Sequence, residues 1–325
     1  MTSIHTNTAA IAALQAMHSL SGDLTKTQTQ VSSGLRVQVA ADNVAYWSIS
    51  TTMKSDNKAI GAVEDVLALS AAVVDTTYAA AEASIDVMGE IKSKLVTANE
   101  SAADRDKING DITELKKQLA TTLEAASFNG ENWLSWNDGS DSLDKKIVSS
   151  FIRNSDGTVK LGQSTYEINT PPPRTDTNVQ YFVDNGGSGE YGILSSEAFA
   201  VQAGSAKNYV IIPGATAPAT AVELSIEDAT TYEELDDMLN TVEGMTKQMV
   251  DMAARLGALT THIDMSSDFA AKLSDSIETG VGRLVDANME EASAKLSALQ
   301  TQQQLATQSL TVANSYAGNL ITLFQ

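Results

Sequence analysis

The sequence predicts a mainly α protein, in which both chain ends form a long antiparallel helical coiled coil or bundle around a small β-rich central insertion. Heptad patterns run through both halves of the chain, as in helices that pack along one another. All 5 prolines and half of the 20 glycines lie between residues 129 and 219, which separates the two helical halves. Both ends lack Asp, Glu, Lys and Arg, although the formal net charge is −20.

The uncharged ends are residues 1–22 and 296–325, and each carries a heptad seam. Steps of four and three residues alternate along both seams, which predicts two helices that pair with each other. Either helix alone would be marginal, so we expect residues 1–43 and 285–325 to be largely disordered in the monomer and helical in a polymer. The C-terminal seam is Val285, Met289, Ala292, Leu296, Leu299, Gln303, Ala306, Leu310, Ala313, Ala317, Leu320 and Phe324; the N-terminal seam is Ala10, Ala13, Met17, Leu20, Leu24, Thr27 and Val31, widened by Ile11 and Leu14.

Longer helices with charged outer positions follow the same pattern toward the centre. Thr231 and Glu234 predict a capping box ahead of a helix that would run unbroken from residue 232 to 279, about 72 Å. Near Gly280 and Gly282 the seam slips by one residue, which predicts a domain boundary or hinge. The apolar positions are Ile60, Val63, Leu67, Val74, Ala81, Met88, Ile91 and Leu95; then Ile108, Ile112, Leu115, Leu119 and Leu123; then Leu235, Met238, Val242, Met245, Met249, Met252, Leu256, Leu259, Ile263, Ala270, Leu273, Ile277 and Leu284.

The central part of the sequence predicts short strands. "KIVSSFIRNSDGTVKLG" predicts a hairpin that turns at Asp156-Gly157, while "VQYFVDNGGSGEYGIL" and "KNYVIIPG" predict further strands. Three domains are therefore expected. They are an inner terminal coiled coil of residues 1–43 with 285–325, a helical domain of residues 44–130 with 231–284, and a β-rich, solvent-exposed domain of residues 131–230.

Composition excludes several functions. The acidic balance argues against nucleic acid and an anionic membrane surface as partners, since both require clustered Lys and Arg. The C-terminus is too polar for a membrane span, and the N-terminus lacks the basic region and apolar core of a signal peptide. There are no cysteines, and His5, His18 and His262 are too scattered to predict a metal site. No catalytic grouping is present, so we expect neither an enzyme nor a cofactor.

Three motifs resemble the flagellin family and together cover about residues 1–135 and 232–325. "VSSGLRVQVAADNVAYWSIS" (residues 31–50) resembles the family's N-terminal signature, and "SFNGENWL" (residues 127–134) resembles the turn that ends its N-terminal helical region. "LQTQQQLATQSLTVANSYAGNLITLF" is similar to the flagellin C-terminus. "GVGRLVDANMEE" and the Tyr46-Trp47 pair resemble the alphaproteobacterial branch, although the family usually carries a small Ala-Gly pair where this chain has Tyr-Trp.

The resemblance implies an extracellular structural subunit that polymerises into the bacterial flagellar filament for swimming motility. It implies self-assembly, co-assembly with other flagellins, and contacts with hook-associated and cap proteins. It also implies unfolded export through the flagellar type III apparatus with an export chaperone. The mature protein should therefore retain its N-terminal sequence, except for removal of Met1. The expected subunit interface and inner core consists of Ile4, Ile11, Leu14, Met17, Leu24, Val31, Leu296, Leu299, Leu310, Leu320 and Phe324.

Three other functions remain open from the sequence. A hook-filament junction protein would share flagellin-like ends. A secreted coiled-coil translocator would need a long apolar hairpin, which this chain lacks. An enzyme domain within the insertion would need a catalytic constellation, and none can be recognised there.

Overall fold

The computed structural model describes residues 6–101, 103–136, 144–168, 179–184, 192–213 and 220–322, with side chains in the last helix described to residue 315. The fold is mainly α, as predicted. The helices are α1 Thr8–Ser33, α2 Val44–Ala98, α3 Arg105–Ala125, α4 Ala198–Ala203, α5 Tyr232–Val285 and α6 Met289–Thr322. The strands are β1 Ser135–Trp136, β2 Asp144–Arg153, β3 Val159–Glu167, β4 Val183–Asp184, β5 Asn208–Val210 and β6 Ala221–Glu223.

The chain divides into two compact units. One comprises Met1–Lys58 with Leu273–Gln325, and the other comprises Ala59–Lys272. Both α2 and α5 contribute residues to each unit. The division into three domains expected from the sequence stays a prediction.

Capping residues mark both ends of α1 and the start of α6. Asn7 precedes α1, and its side-chain oxygen accepts a hydrogen bond from the Ala10 N–H at 3.0 Å. Gly34 ends α1 in the left-handed conformation (φ 71°), which glycine adopts without steric penalty. Asn288 precedes α6 and accepts from the backbone N–H of Glu290 at 3.2 Å. Such caps satisfy backbone donors that a helix terminus leaves free.

Helices α1 and α6 pack against each other, as the two seams predict. Hydrogen bonds fix an antiparallel register at both ends of the pair. The Asn7 side-chain amide donates to the Ala313 carbonyl at 2.9 Å, and the Ala287 N–H donates to the Gly34 carbonyl at 2.8 Å. Every N-terminal seam residue is buried or half-buried: Ala10, Ala13, Met17, Leu20, Leu24, Thr27 and Val31. On α6 the seam is confirmed at Ala292, Leu296, Leu299, Ala306, Leu310 and Ala313, whereas Met289 and Gln303 are exposed.

The unit of residues 59–272 has one apolar core, in which α2, α3 and α5 supply the predicted heptad positions. On α5 the run from Leu235 to Ile263 is buried at every seam position named from the sequence. Four of those positions are methionines, whose flexible side chains fill irregular gaps between helices. The predicted capping box is confirmed, since the Thr231 N–H donates to Glu234 Oε2 at 2.9 Å and the Glu234 N–H donates to Thr231 Oγ1 at 3.3 Å.

Helix α5 is longer than predicted, with 54 residues and therefore about 81 Å. It continues without a break through Gly280 and Gly282 and ends at Val285. The domain boundary or hinge expected near these glycines stays a prediction. A glycine inside a helix costs only about 1 kcal/mol, which local packing can offset. Both glycines lie where space is short, because a Cβ at Gly280 would lie 3.3 Å from Met53 Cε and one at Gly282 would lie 2.7 Å from Asp286 Oδ2.

The central strands form three two-stranded sheets. Strands β2 and β3 form the predicted antiparallel hairpin, with Gly157 at φ 85° in its turn. Strands β4 and β5 confirm the two other predicted strand segments, and they pair in parallel with β1 and β6. The central region joins the core of its unit through Trp133, which stacks on Tyr166 with ring centroids 5.5 Å apart.

Candidate functional site

The α1–α6 pair is the most distinctive surface of the unit that contains both chain ends. Its described part spans residues 6–22 and 296–315 without a charged side chain. Met17, Leu24, Val31, Leu296 and Leu310 are half-buried along the seam, and Leu299 is only 7% exposed. Ile4 and Phe324 lie outside the described residues, as does the Leu320 side chain. The described seam residues therefore lie along the contact between α1 and α6.

Ile11 and Leu14 were grouped with this seam from the sequence, but they point away from α6. Their exposed fractions are 55% and 48%. On α6, Leu305 and Val312 are also exposed. These two residues are seven apart, so they occupy the same helix face two turns apart, about 10.5 Å. Residues 6–22 and 296–315 of the pair thus present apolar side chains outward, and neither stretch contains a charged residue.

Hydroxyl groups on the outer faces hydrogen-bond to their own helices. The Thr29 hydroxyl donates to the Thr25 carbonyl at 2.9 Å, and the Thr311 hydroxyl donates to the Thr307 carbonyl at 2.9 Å. The same backward bond recurs at Ser19, Thr25, Ser33, Ser297, Thr301, Thr307 and Ser315. A donor that is already satisfied loses less free energy when water is removed than a free donor does. These polar faces can therefore be covered by protein at a small desolvation cost.

The residues after α1 fasten the helix pair to the junction of α5 and α6. The Arg36 guanidinium donates to the Leu284 carbonyl at 2.9 Å, and the Arg36 and Val37 N–H groups both donate to the Val285 carbonyl. Val37 packs with Val281 and Val285 in a small buried cluster. The segment "SSGLRV" is thus a structural clamp that holds α1 beside the end of α5.

Asp42 orders the turn that leads from this clamp into α2. Its Oδ2 accepts from the Gln38 N–H at 3.0 Å and from the Val39 N–H at 3.2 Å. These backbone donors hold the pKa of the Asp42 carboxyl below its usual value, with a further contribution from Lys26 at 3.6 Å. The turn is consequently better ordered when Asp42 is ionised.

Other kinds of site have little support in the described part of the chain. No cluster of three or more His, Asp or Glu side chains there is arranged to hold a metal ion. Its helices also include none with both the length and the hydropathy to cross a membrane. His18 and His262 lie on α1 and α5, both exposed.

The start of α2 carries a surface that the seam pattern did not identify. Val44, Trp47 and Ile49 are exposed there, in a stretch without charged residues from position 43 to 53. The sequence signal was the bulky Tyr46-Trp47 pair, which stands where a small pair was expected. The heptad positions predicted in this helix begin at Ile60, so they do not include these residues.

The chain is similar to known proteins along its whole length. The family model described as the bacterial flagellin N-terminal helical region matches residues 4–138, and the bacterial flagellin C-terminal helical region matches residues 239–324. Flagellin C of Rhizobium meliloti (strain 1021) is 48% identical over 331 residues, with both chains fully covered. Flagellin A of the same strain is 39% identical over 394 residues, and a flagellin of Brucella melitensis biotype 1 is 37% identical over 326 residues, again with full coverage of both chains.

Proposed function

The chain belongs to the bacterial flagellin family and is a structural subunit of the extracellular flagellar filament; from this premise we propose that the α1–α6 pair is the inner contact layer between subunits. The observation that carries the proposal is the absence of charged side chains from residues 6–22 and 296–315 in a chain of net charge −20. A charge buried between subunits without a partner would cost several kcal/mol. The uncharged stretches of both helices avoid that penalty.

The interface and inner core would consist of the seam residues together with the outward residues Ile11 and Leu14. Seam residues such as Leu299 pair α1 with α6 inside one subunit, and the outward residues contact a neighbouring subunit. Because the two surfaces in contact would differ, the association is heterologous, and repetition without closure produces a helical filament. In this arrangement residues 1–43 with 285–325 form the inner layer, residues 44–130 with 231–284 surround it, and residues 131–230 face solvent.

Further partners follow from the family. We propose export through the flagellar type III apparatus with a chaperone, and contacts with hook-associated and cap proteins. Co-assembly with other flagellins is supported by the relatives, since one strain of Rhizobium meliloti has proteins named flagellin A, B, C and D that are all similar to this chain.

Substitution of outward residues tests the inner layer. Ile11 and Leu14 are largely exposed in the single chain, so Ile11→Asp and Leu14→Asp should leave the subunit's folding unchanged. In the filament each would bury an unpaired carboxylate and lose an apolar contact, a combined cost of about 3 kcal/mol or more. Seeded polymerisation of the full chain, followed by electron microscopy and sedimentation, should show the concentration required for growth raised about a hundredfold.

Thr158→Asp is the matched control, because Thr158 is exposed in the hairpin turn of the region expected to face solvent. This variant should polymerise like the unmodified chain. Unimpaired filaments from both Ile11→Asp and Leu14→Asp would exclude the outer face of α1 from the subunit contacts.

A further inference from the structure

The segment that leads from β6 toward α5 lies against α3. We call it the strap; it comprises residues 223–230. Leu224 and Ile226 are completely buried in the core of their unit, whereas Ser225 and Glu227 are exposed. Alternation of this kind is typical of an extended segment that turns one face to a core. The strap therefore supplies apolar side chains to the core without belonging to a helix.

Two side chains of α3 bind the first half of the strap. Lys116 is only 8% exposed, and its ammonium group donates to the Leu224 carbonyl at 2.8 Å and pairs with the Glu223 carboxylate. The Asn109 side-chain oxygen accepts a hydrogen bond from the Ile226 N–H at 3.0 Å. Both bonds satisfy backbone groups of residues whose side chains are buried, and such groups are costly to leave unpaired.

Arg105 binds the second half of the strap and connects it to two helices. Its guanidinium group donates to the Thr230 carbonyl at 2.6 Å and to the Asp228 carbonyl at 3.4 Å. The Arg105 Nε also donates to the Ala98 carbonyl, at the end of α2, at 3.2 Å. The same guanidinium lies 5.5 Å from the centroid of the Tyr232 ring, at the start of α5. One side chain thus joins the end of α2, the strap and the first turn of α5.

The side chains that hold the strap share one face of α3. At about 100° per residue, positions 105, 109 and 116 lie within about 40° of one another around the helix. Ile112 lies on the same face and is completely buried. Residues later in the strap contact positions earlier in α3, so the strap runs antiparallel to the helix over about 16 Å. A continuous binding face indicates attachment along the whole strap and not at one point.

The strap also connects the central strands to α5. The Leu224 N–H donates to the Val210 carbonyl of β5 at 2.8 Å, so the strap continues the contact between β5 and β6. At its other end the strap is followed directly by Thr231, which forms the capping box of α5 with Glu234. Any movement of the strap therefore acts on the central strands and on the start of α5 together.

We propose that the strap is a conformational device that opens from α3 as one unit while α2, α3 and α5 stay folded. Side-chain bonds hold the strap on α3, whereas a continuous ladder of backbone hydrogen bonds holds each helix. Segments of this kind open at a lower free energy than the helices around them. Opening withdraws Leu224 and Ile226 from the core and uncouples the central strands from α3; closing restores both.

Hydrogen exchange on the full-length monomer measures the opening. The protection factors of the Ile226 and Glu227 amide protons should be at least tenfold lower than that of the Met245 amide, which lies in the buried middle of α5. They should also depend less steeply on urea, because local opening exposes little surface. Equal protection factors, or an equally steep dependence on urea, would show that the strap opens only when the helices unfold and would overturn the proposal.

Variants at the two ends of the strap test whether it opens as one unit. Lys116→Met keeps the apolar stem but removes the ammonium group, and Arg105→Lys keeps the charge but removes the planar fork. Each should lower the protection factor of the Ile226 amide at least tenfold, although that amide bonds to Asn109 and to neither altered side chain. Protection at Met245 should not change. An effect on Ile226 from only one end, or an equal loss at Met245, would refute opening as a unit.

The adjacent lysine provides the matched control. Lys117 is exposed and pairs with Glu114 on its own helix. Lys117→Met should therefore leave the protection of the Ile226 amide unchanged, and a loss as large as that in Lys116→Met would also refute the proposal. If either strap variant fails to fold, the exchange and urea dependence of the unmodified chain still decide whether the strap opens separately.

Discussion

Replacing Leu299 by Asp should prevent filament growth, because it places a carboxylate in the seam between α1 and α6. Leu299 is 7% exposed. In the antiparallel pair, Asn7 bonds to Ala313 and Gly34 bonds to Ala287. By this register Leu299 lies opposite the turn of α1 that carries Leu20 and Leu24. Both of those side chains are half-buried. The nearest basic residue, Lys295, lies one turn away on α6 and is exposed, so a carboxylate at position 299 could pair with it only by leaving the seam.

The expected magnitude follows from two contributions. Loss of a buried leucine removes about 1.5–3 kcal/mol of hydrophobic stabilisation. An unpaired carboxylate in the seam adds a penalty of several kcal/mol, reduced to the extent that it binds a proton instead. A total of about 3 kcal/mol or more corresponds to at least about a hundredfold rise in the subunit concentration required for growth.

The assay is seeded growth followed by light scattering at several pH values, with Leu299→Asn as the matched control. Asn has the shape of Asp without its charge, so it should impair growth less at neutral pH. Burial raises the pKa of an Asp carboxyl, so the penalty should decline as the pH falls and the group becomes neutral. The Asn variant should show no such recovery relative to the unmodified chain. Identical behaviour of the Asp and Asn variants at every pH would refute the assignment of the defect to buried charge.

Three further outcomes are expected. Leu310→Asp should also abolish growth while the monomer's central fold is retained, whereas Thr158→Asp should grow normally in the same light-scattering assay. Thr231→Ala should lower the free energy of unfolding by about 1 kcal/mol in urea titrations, because it removes a helix cap. The pKa of Asp42 is depressed in the folded chain, so its contribution to stability should be present above the ordinary Asp pKa and be lost as the pH falls through the lower folded value. Carboxyl chemical shifts measured by NMR across an acid titration would check this, and a midpoint at the ordinary Asp value would be the contrary result.

Much of the helical fold could be predicted because its apolar spacing is regular. The seam positions on α1, α5 and α6 follow from steps of three and four residues, and the capping box at Thr231 from two residues alone. The parallel pairing of β5 with β6 could not be predicted, since strands of three residues carry too little pattern to choose a partner. The end of α5 was misplaced because the glycines near residue 281 were interpreted without the valine cluster that supports the helix there.

The candidate site was only partly predictable for a geometric reason. Periodicity gives the angle of each side chain around its helix, but not which arc the partner helix covers. Ile11 and Leu14 lie beside the seam by spacing, yet α6 leaves them exposed. Trp47 belongs to neither seam, so its exposure at the start of α2 could be found only from the structure.

The hydrogen bond from Asn7 to the Ala313 carbonyl joins residues 306 positions apart. The seam of α1 therefore has no partner until almost the entire chain has been made or delivered, and closing so large a loop is slow. A chain interrupted before α6 would carry α1 but could not form the helix pair. If the helix pair is the subunit contact layer as proposed, only chains that have reached α6 can therefore join the filament.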